Sequence, residues 1–383
     1  MSPTHPPTDD PAPPSESSDA NPGASTRDLA GRAGRAADGW NVLVTARAFH
    51  DSGQEWWQRL EQAGCSLRKA RRWGPLSIDE LAQECQDIDA VIAATDPYQD
   101  AFFARAKRLK LVARCGIGID SVDLASASRH GVLVTNVPHA MTDAVADYCF
   151  ALLLGLVRRI PEGDACMRRG GWEEYPGVEL RGKRLGLIGF GKIGQEVARR
   201  AFGFGLEVVT HDPNWNAELE AIGGSMAAGK SVRNVDLETL LRTSRFVSLH
   251  APNIPQTRHL INAQRLSLMR PDAYLINTSR GALIDEQALR EALLEGRIAG
   301  AAIDVYQQEP LPADHPLRQT PRLLLTPHNA FNAREAAQRM SEGCALPILD
   351  LLQGRRPQFV CNPDGWEPFS SKTSLSGGVI GCE

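Results

Sequence analysis

Three residues suited to proton transfer and carboxylate binding follow three successive apolar runs late in the chain. Arg280 comes after "AYLINTS", Glu309 after "AGAAIDVYQQ" and His328 after "RLLLTP". A histidine can donate a proton to a developing oxyanion, and a neighbouring carboxylate orients it and favours its charged form. An arginine can bind a carboxylate through two parallel hydrogen bonds. Each residue alone also fits a surface ion pair or a strand-end histidine, so their function depends on the elements that position them.

The apolar runs in this part of the chain alternate with helical patterns, which is typical of a parallel sheet with helices on both faces. Six runs, the number in a complete dinucleotide-binding sheet, are predicted to be strands: "KRLGLIG", "EVVTHD", "RFVSLHA", "AYLINTS", "AGAAIDV" and "RLLLTPH". Ligands bind at the carboxyl ends of parallel strands. We therefore expect Arg280, Glu309 and His328, here called the strand-end trio, at one edge of this sheet.

A glycine loop joins the first of these strands to a helical pattern. Gly189, Gly191 and Gly194 form G-x-G-x-x-G, and Asp212 ends the next strand. The glycines allow a tight turn, close approach of a pyrophosphate and packing of helix on strand, while the helix N-terminus attracts phosphate. Asp212 can accept hydrogen bonds from both ribose hydroxyls and would repel a 2′-phosphate. The sequence therefore favours NAD over NADP.

A nicotinamide cofactor beside the strand-end trio suits one reaction. Hydride transfer to the keto carbon of a 2-keto acid builds charge on the carbonyl oxygen, which then needs a proton. His328 can supply it, Glu309 can orient His328, and Arg280 can bind the substrate carboxylate and polarise the carbonyl. A ligand-free glycine turn is the alternative, but strand, loop, helix and acid are all in register.

The first half of the chain predicts a second parallel sheet. Its strands are "NVLVTA", "AVIAAT", "LKLVAR" and "GVLVTN", and "VADYCFALLLGLVRRI" predicts a helix linking the two modules. After His328, "NAREAAQRMSEGCALPILDLLQG" predicts a helix kinked or broken at Pro347. This last helix could pack back on the first module, which would then be discontinuous.

The ends of the chain and its bulk composition restrict the other possibilities. Residues 1–39 are rich in Pro, Ser, Asp, Gly and Ala and are predicted to be disordered, and residues 364–383 are predicted to be a flexible tail. A net charge of -4 gives no general attraction to nucleic acid, and the longest apolar run, "YCFALLLGLV", is too short for a membrane helix. The 8 cysteines have no zinc or C-x-x-C spacing, so we expect reduced thiols, no metal and a cytoplasmic protein.

From about Asn41 to about Pro363 the chain resembles the D-isomer-specific 2-hydroxyacid dehydrogenases, in the short phosphoglycerate dehydrogenase-like branch. The matching motifs are "LIGFGKIG", "SLHAPNIPQTRHLI", "INTSRGALIDEQAL", "AGAAIDVYQQEP", "LLLTPH" and, in the first module, "ARCGIGIDSVDL". The resemblance implies an α/β fold of two Rossmann-like or flavodoxin-like parallel-sheet domains. An NAD-binding domain, 139–330, would be inserted in a substrate-binding domain made of 40–138 plus 331–363.

The resemblance also implies roles for individual residues. The strand-end trio would be catalytic, and the backbone at Gly116, Ile117 and Gly118, together with Arg280, would bind the substrate carboxylate. Asp304 would receive the nicotinamide carboxamide. The complete set of implied cofactor contacts is Gly189, Gly191, Lys192, Ile193, Gly194, Asp212, His250, Pro252, Thr257, Thr278 and Asp304. A homodimer in contact through the interdomain helix is expected, with a small-molecule substrate and a cleft that closes over it.

Departures from the family pattern concern the substrate. Asn329 and Phe331 stand where two glycines are common, and they are expected to shape the pocket. Asp96 lies where a phosphate-binding enzyme would benefit from a basic side chain, so we expect a 2-keto acid without a phosphate. Two alternatives remain: an NAD(H)-sensing, corepressor-like binding protein of the same fold, and a phosphite-type dehydrogenase. Turnover of 2-keto acids with NADH distinguishes both from the main hypothesis.

Overall fold

Two parallel β-sheets dominate the computed structural model, which describes residues 39–226 and 229–373. The first sheet, in the order β2-β1-β3-β4-β5, contains β1 (Asn41–Val44), β2 (Ser66–Lys69), β3 (Ala90–Ala93), β4 (Leu111–Arg114) and β5 (Leu133–Thr135). The second, in the order β12-β11-β10-β9-β6-β7-β8, contains β6 (Arg184–Ile188), β7 (Glu207–His211), β8 (Arg233–Asn234), β9 (Phe246–Leu249), β10 (Tyr274–Asn277), β11 (Gly300–Ile303) and β12 (Leu323–Leu325). All of these strands pair in parallel.

Helices connect the strands within each sheet. They are α1 (Arg47–Ser52), α2 (Gln54–Gln62), α3 (Ile78–Glu84), α4 (Asp100–Phe103), α5 (Leu124–Arg129), α6 (Thr142–Val157), α7 (Ile160–Arg168), α8 (Lys192–Gly203), α9 (Ala217–Gly224), α10 (Leu237–Thr243), α11 (Ala263–Leu268), α12 (Glu286–Leu294), α13 (Arg334–Leu352) and α14 (Trp366–Thr373). Polar side chains fix several helix starts. Ser77 caps α3, Asp236 caps α10 and Asp285 caps α12, each by accepting a backbone N–H of the first turn. Within residues 39–226 and 229–373, no helix combines the length and apolar character needed to cross a bilayer.

The predicted central strands are confirmed, and two edge strands were not predicted. β2 and β8 flank their sheets and carry mostly exposed residues, so neither has the apolar run that identifies a buried strand. The second sheet therefore has seven strands among the described residues rather than six.

Helix α6 contributes side chains to a hydrophobic core on each of the two sheets. Ala144 and Val145, near its start, belong to the core of the first sheet, whereas Leu152, Leu153 and Val157 belong to a core on the second sheet. Because α6 is buried against both modules, its surface is apolar along nearly its whole length.

Helix α13 returns to the first sheet, so the first module is discontinuous as expected. Met340, Cys344 and Ile348 are fully buried against β1, β3 and β4. The helix continues through Pro347, so the expected break does not occur. A proline inside a helix costs about 3 kcal/mol, and burial of several large side chains on this face offsets a cost of that size.

The expectation of a flexible tail from residue 364 onward is wrong for 364–373. These residues include α14, where Phe369 is fully buried in the first core and stacks on Trp366 with ring centroids 5.5 Å apart. The Lys372 ammonium donates to the carbonyl oxygen of Leu109 at 2.7 Å. The serine-rich composition of the tail hid two aromatic residues at helical spacing. The predicted disorder of residues 1–39, apart from Gly39, and the rest of the tail lie outside the described residues.

Candidate active site

The strand-end trio lies at the carboxyl edge of the second sheet, after β10, β11 and β12. His328 Nδ1 and Glu309 Oε2 are 2.6 Å apart, the distance of a strong, charge-assisted hydrogen bond. Glu309 Oε1 accepts the Tyr306 amide at 2.9 Å, which fixes the carboxylate from behind. The imidazole is thereby held by Nδ1, which leaves Nε2 as the nitrogen that can exchange a proton with a substrate.

Opposing effects act on the Glu309 carboxyl. Burial, the largest effect, raises its pKa, but the hydrogen bond and charge of His328, the Tyr306 amide and the charge of Arg280 together outweigh it. The pKa of Glu309 therefore lies below its ordinary value, and the group is a carboxylate at neutral pH.

The turn that presents His328 is organised by Asp304. Asp304 is fully buried, and its Oδ1 accepts the Thr326 hydroxyl at 2.5 Å and the Asn329 amide at 2.9 Å. Its Oδ2 accepts the Ala330 amide at 2.8 Å. His328 itself adopts a left-handed backbone conformation with φ +51°. These three bonds hold that turn in place, which is a structural role that the sequence did not indicate for Asp304.

Arg280 brings the second sheet into contact with the loop after β4, residues 115–120, here called the Gly116 loop. Arg280 Nε donates to Asp120 Oδ2 at 3.0 Å, and Nη1 donates to the Ser279 carbonyl at 2.8 Å. The Nη2 group lies so close to Gly118 that a Cβ there would collide with it. The predicted substrate-binding loop and the predicted carboxylate-binding arginine therefore adjoin each other.

The backbone amides of the Gly116 loop are not equivalent. The Gly116 amide donates to the Arg114 carbonyl at 2.9 Å, so it is already engaged. Within the described parts of the chain, the amides of Ile117 and Gly118 have no acceptor. The Ile117 carbonyl accepts the Asn136 side-chain amide at 2.9 Å, which fixes the loop from its far side. Ile117 and Gly118 can thus each donate a backbone N–H to an anion.

The glycine loop has the geometry of a cofactor turn. Gly189 has φ +99°, and a Cβ there would lie 2.6 Å from the His250 carbonyl oxygen, so only glycine fits without strain. A Cβ on Gly191 would meet no atom within 4 Å, which leaves the entrance of α8 open. Asp212 Oδ2 accepts the Phe190 amide at 2.8 Å, so the acid is fixed against the loop itself.

The remaining predicted cofactor residues lie on the loops around this turn. Lys192 and Ile193 begin α8, and Pro252 and Thr257 belong to the loop after β9, where the Thr257 hydroxyl donates to the Pro252 carbonyl at 2.6 Å. Burial lowers the pKa of His250 to about 4, so it is a neutral imidazole at physiological pH, with Nε2 2.9 Å from the Ser248 hydroxyl.

Thr278, at the end of β10, has a buried hydroxyl with no hydrogen-bond partner among the described residues. Buried polar atoms are normally paired, so this hydroxyl is free to bond a ligand.

Comparisons with known proteins identify the family. The model of the D-isomer specific 2-hydroxyacid dehydrogenase NAD-binding domain matches residues 150–330. A glyoxylate reductase of Thermofilum pendens is 38% identical over 305 residues, which cover 78% of this chain and 88% of the relative. The chain belongs to the D-isomer specific 2-hydroxyacid dehydrogenases. It is therefore an oxidoreductase that acts on CH–OH donors and has an NAD-binding domain.

Two further relatives of this dehydrogenase differ in length and name. A D-3-phosphoglycerate dehydrogenase of Methanocaldococcus jannaschii is 36% identical over 292 residues, covering 75% of this chain but 54% of the relative. The crystal structure of a Thermus thermophilus protein superposes with a TM-score of 0.74 at 36% identity, covering 84% of this chain and 99% of that one. The enzyme names of these relatives favour neither the corepressor-like nor the phosphite-type alternative.

Two residues near the site have roles that differ from the sequence-based interpretation. Asp96 is fully buried and accepts the Thr45 hydroxyl at 2.6 Å and the Leu76 amide at 2.9 Å, so it is a structural carboxylate. It therefore gives no argument about a substrate phosphate. Asp120, two residues after Gly118, was not predicted to pair with Arg280, although its position in that motif was a usable signal.

Proposed function

We propose that this dehydrogenase interconverts a D-2-hydroxy acid and its 2-keto acid with NAD(H), using His328 as the acid and base. The 2.6 Å contact between His328 and Glu309 carries this proposal, because it creates an oriented, charge-stabilised proton donor beside Arg280. The proximity of Arg280 to Gly118 supports joint binding of a carboxylate by Arg280 and the Ile117 and Gly118 amides.

In the reduction, the Arg280 fork and the Gly116 loop amides hold the substrate carboxylate and orient the carbonyl. His328 Nε2 donates a proton to the carbonyl oxygen, and in the oxidation it takes the proton from the hydroxyl. Glu309 keeps the imidazole oriented in both directions. The cofactor, when bound, supplies or accepts the hydride.

The residues around the glycine loop fit a nicotinamide dinucleotide. Gly191 leaves open space at the N-terminus of α8, where a pyrophosphate binds, and the unpartnered Thr278 hydroxyl can bond the cofactor. Lys192, Ile193, His250, Pro252, Thr257 and Asp304 complete the proposed contacts. Because the Asp212 carboxylate is fixed where the ribose would lie, we propose NAD rather than NADP as the cofactor.

We further propose a small 2-keto acid as the substrate. The Phe331 ring lies edge-on to the His328 ring, with centroids 6.0 Å apart, so a bulky side chain occupies space next to the proton donor. Names of relatives point both to glyoxylate and to a phosphorylated acid. Since the buried Asp96 gives no information about a substrate phosphate, the position of Phe331 alone supports the smaller substrate.

The test is NADH oxidation by the pure protein with glyoxylate, pyruvate, hydroxypyruvate and phosphohydroxypyruvate. Loss of a general acid costs about 10²–10⁴-fold in rate, so His328→Ala should fall by that factor with the best substrate. His139→Ala is the control, because His139 is exposed and its ring contacts Phe359. Full turnover by His328→Ala would refute the mechanism, and a preference for phosphohydroxypyruvate would refute the substrate proposal.

We also propose a homodimer whose subunits each contain a substrate-binding domain, 40–138 plus 331–363, and an NAD-binding domain, 139–330. Exposed apolar side chains on and after α7 support it: Ile160, Met167 and Trp172 are 59%, 54% and 84% exposed. Light scattering should give twice the mass of the chain.

Seven free thiols among the described residues support a cytoplasmic location, which cell fractionation would test.

A further inference from the structure

A cleft of about 470 Å³ lies at the amino-terminal edge of the second sheet. Five cationic side chains line it: Lys183, Arg184, Arg242, Arg245 and Arg270. Lys183 and Arg184 lie at the start of β6, and Arg245 directly precedes β9. The strand-end trio instead follows the carboxyl ends of β10, β11 and β12. This region, here called the basic cleft, is therefore separate from the candidate active site.

Arg184 and Arg245 lie side by side in the basic cleft. The Arg245 amide donates to the Arg184 carbonyl at 3.0 Å, which continues the pairing of β6 with β9. Their side chains are 31% and 19% exposed, so two like charges lie partly buried on neighbouring strands. Burial lowers the pKa of the Arg245 guanidinium, and the charge of Arg270 lowers it further. An anion between these arginines would relieve both effects.

The two carboxylates that line the basic cleft leave its arginines incompletely paired. Asp272 is shared by Arg245 and Arg270, and Glu207 contacts Arg184 at 3.2 Å. The Nε atoms of Arg184 and Arg245 are buried and, among the described residues, have no hydrogen-bond acceptor. Buried donors are normally paired. These three arginines and two carboxylates therefore leave one positive charge and unused donors.

Lys183 adds to this excess charge. Arg242 pairs with Glu238 at 2.8 Å, whereas Lys183 has no carboxylate partner in the described part of the chain and raises the excess from one charge to two. The C-termini of α10 and α11 also lie at this edge, and a helix C-terminus carries about half a negative charge. Two such ends offset about one charge, so the basic cleft stays positive.

We infer that the basic cleft binds a small phosphate ligand, either a phosphate ester or an inorganic polyphosphate. A phosphate group carries a charge of about −1.5 to −2 at pH 7, and its oxygens point in several directions, so cations from different strands can each bond one. A carboxylate has two oxygens in one plane, which suit a single arginine fork. The volume of the cleft is in the range of small-molecule sites, roughly 300–1,000 Å³.

Calorimetric titration of the full-length protein with inorganic pyrophosphate tests this site. Saturating NADH is present throughout, so that the glycine loop is occupied. Lys183→Gln and Arg245→Gln should each weaken binding by about tenfold or more, because a hydrogen bond to a charged group is lost. Since Lys183 makes no ion pair, its variant keeps the fold even if Arg245→Gln does not. The control, Arg105→Gln, removes the same charge from an exposed pair with Asp79 on the first module and should not change binding.

Titrations with glucose 6-phosphate, citrate and a short DNA duplex identify the class of ligand. Binding of pyrophosphate or glucose 6-phosphate that both cleft variants weaken supports the site, and the tighter ligand shows whether an ester or an inorganic phosphate fits better. Absence of binding for both phosphates, or binding that both variants retain, would overturn the inference. Citrate binding as tight as that of pyrophosphate would overturn the preference for phosphate, and tighter binding of DNA would overturn a small ligand. Since no titration requires turnover of a keto acid, failure of the proposed function would leave this result unaffected.

Discussion

Replacing Glu309 with glutamine keeps the shape of the side chain that contacts His328 but removes its charge. Hydrogen bonds to charged groups are worth about 1.5–3 kcal/mol. The side chains of His328 and Glu309 are 37% and 36% exposed, so solvent screening places this pair near the lower end, at about 1.5–2 kcal/mol. At about 1.4 kcal/mol per tenfold, kcat/KM for keto acid reduction should fall by roughly 12- to 30-fold at neutral pH.

The pH dependence of this variant distinguishes a charge effect from a lost contact. Because the pKa of Glu309 is lowered in the folded protein, its carboxylate is charged above the ordinary glutamate value of about 4.3 and loses its charge only at lower pH. The carboxylate stabilises only the protonated imidazole. The ratio of wild-type to Glu309→Gln activity should therefore be constant above about pH 5 and fall toward 1 as acid protonates the Glu309 carboxylate, at a pH below about 4.

The assay is NADH oxidation at saturating NADH from about pH 8 to below about pH 4, with Asp100→Asn as a matched control. Asp100 contacts the His130 Nε2 at 3.3 Å at an exposed site on the first module, so the control removes a carboxylate from a histidine outside the trio. The control should behave as wild type. A Glu309→Gln variant with wild-type kcat/KM at every pH would refute the role of this pair, and a ratio that does not fall in acid would refute its electrostatic origin.

Three further predictions concern the loop, the cofactor and the fold. Gly118→Ala should raise KM for the keto acid at least tenfold without changing KM for NADH, because its Cβ collides with Arg280; an unchanged KM would contradict the close contact. Asp212→Asn should raise KM for NADH and reduce the preference for NADH over NADPH. An unchanged preference would show that another residue selects the cofactor. Phe369→Ala should lower the free energy of unfolding in urea by about 3–5 kcal/mol, whereas Phe359→Ala, 46% exposed, should change it by at most about 0.5.

The central strands and the convergence of Arg280, Glu309 and His328 were predictable because both follow from one rule. Buried parallel strands are continuous apolar runs, and their carboxyl ends lie at one edge of the sheet. Residues that follow such runs must therefore approach one another, even when tens of residues separate them in sequence. The glycine loop was predictable for a similar reason, because its strand, turn and helix are contiguous.

Elements that are stabilised by distant partners were not predictable from local pattern. The polar edge strands β2 and β8 form because a neighbouring strand offers its backbone groups, which their side chains do not reveal. Helix α14 forms because Phe369 finds a place in the first core, and the composition of its segment gave the opposite expectation. Asp96 was interpreted as a residue at the position of a phosphate contact, although Thr45, far away in sequence, makes it a buried acceptor.

Asp304 and Asp120, two carboxylates near the strand-end trio, have different roles, and their hydrogen-bond partners explain the difference. All three hydrogen bonds to the Asp304 carboxylate come from the turn that carries His328, and Asp304 is fully buried, so releasing this turn would leave a buried charge unpaired. Asp120 instead makes one contact with Arg280, and these two side chains are 40% and 34% exposed. An exposed pair of this kind is worth about 0–1 kcal/mol. Under the proposed function, a substrate carboxylate would therefore displace Asp120 from Arg280 at little cost, and without substrate Asp120 keeps the guanidinium against the Gly116 loop.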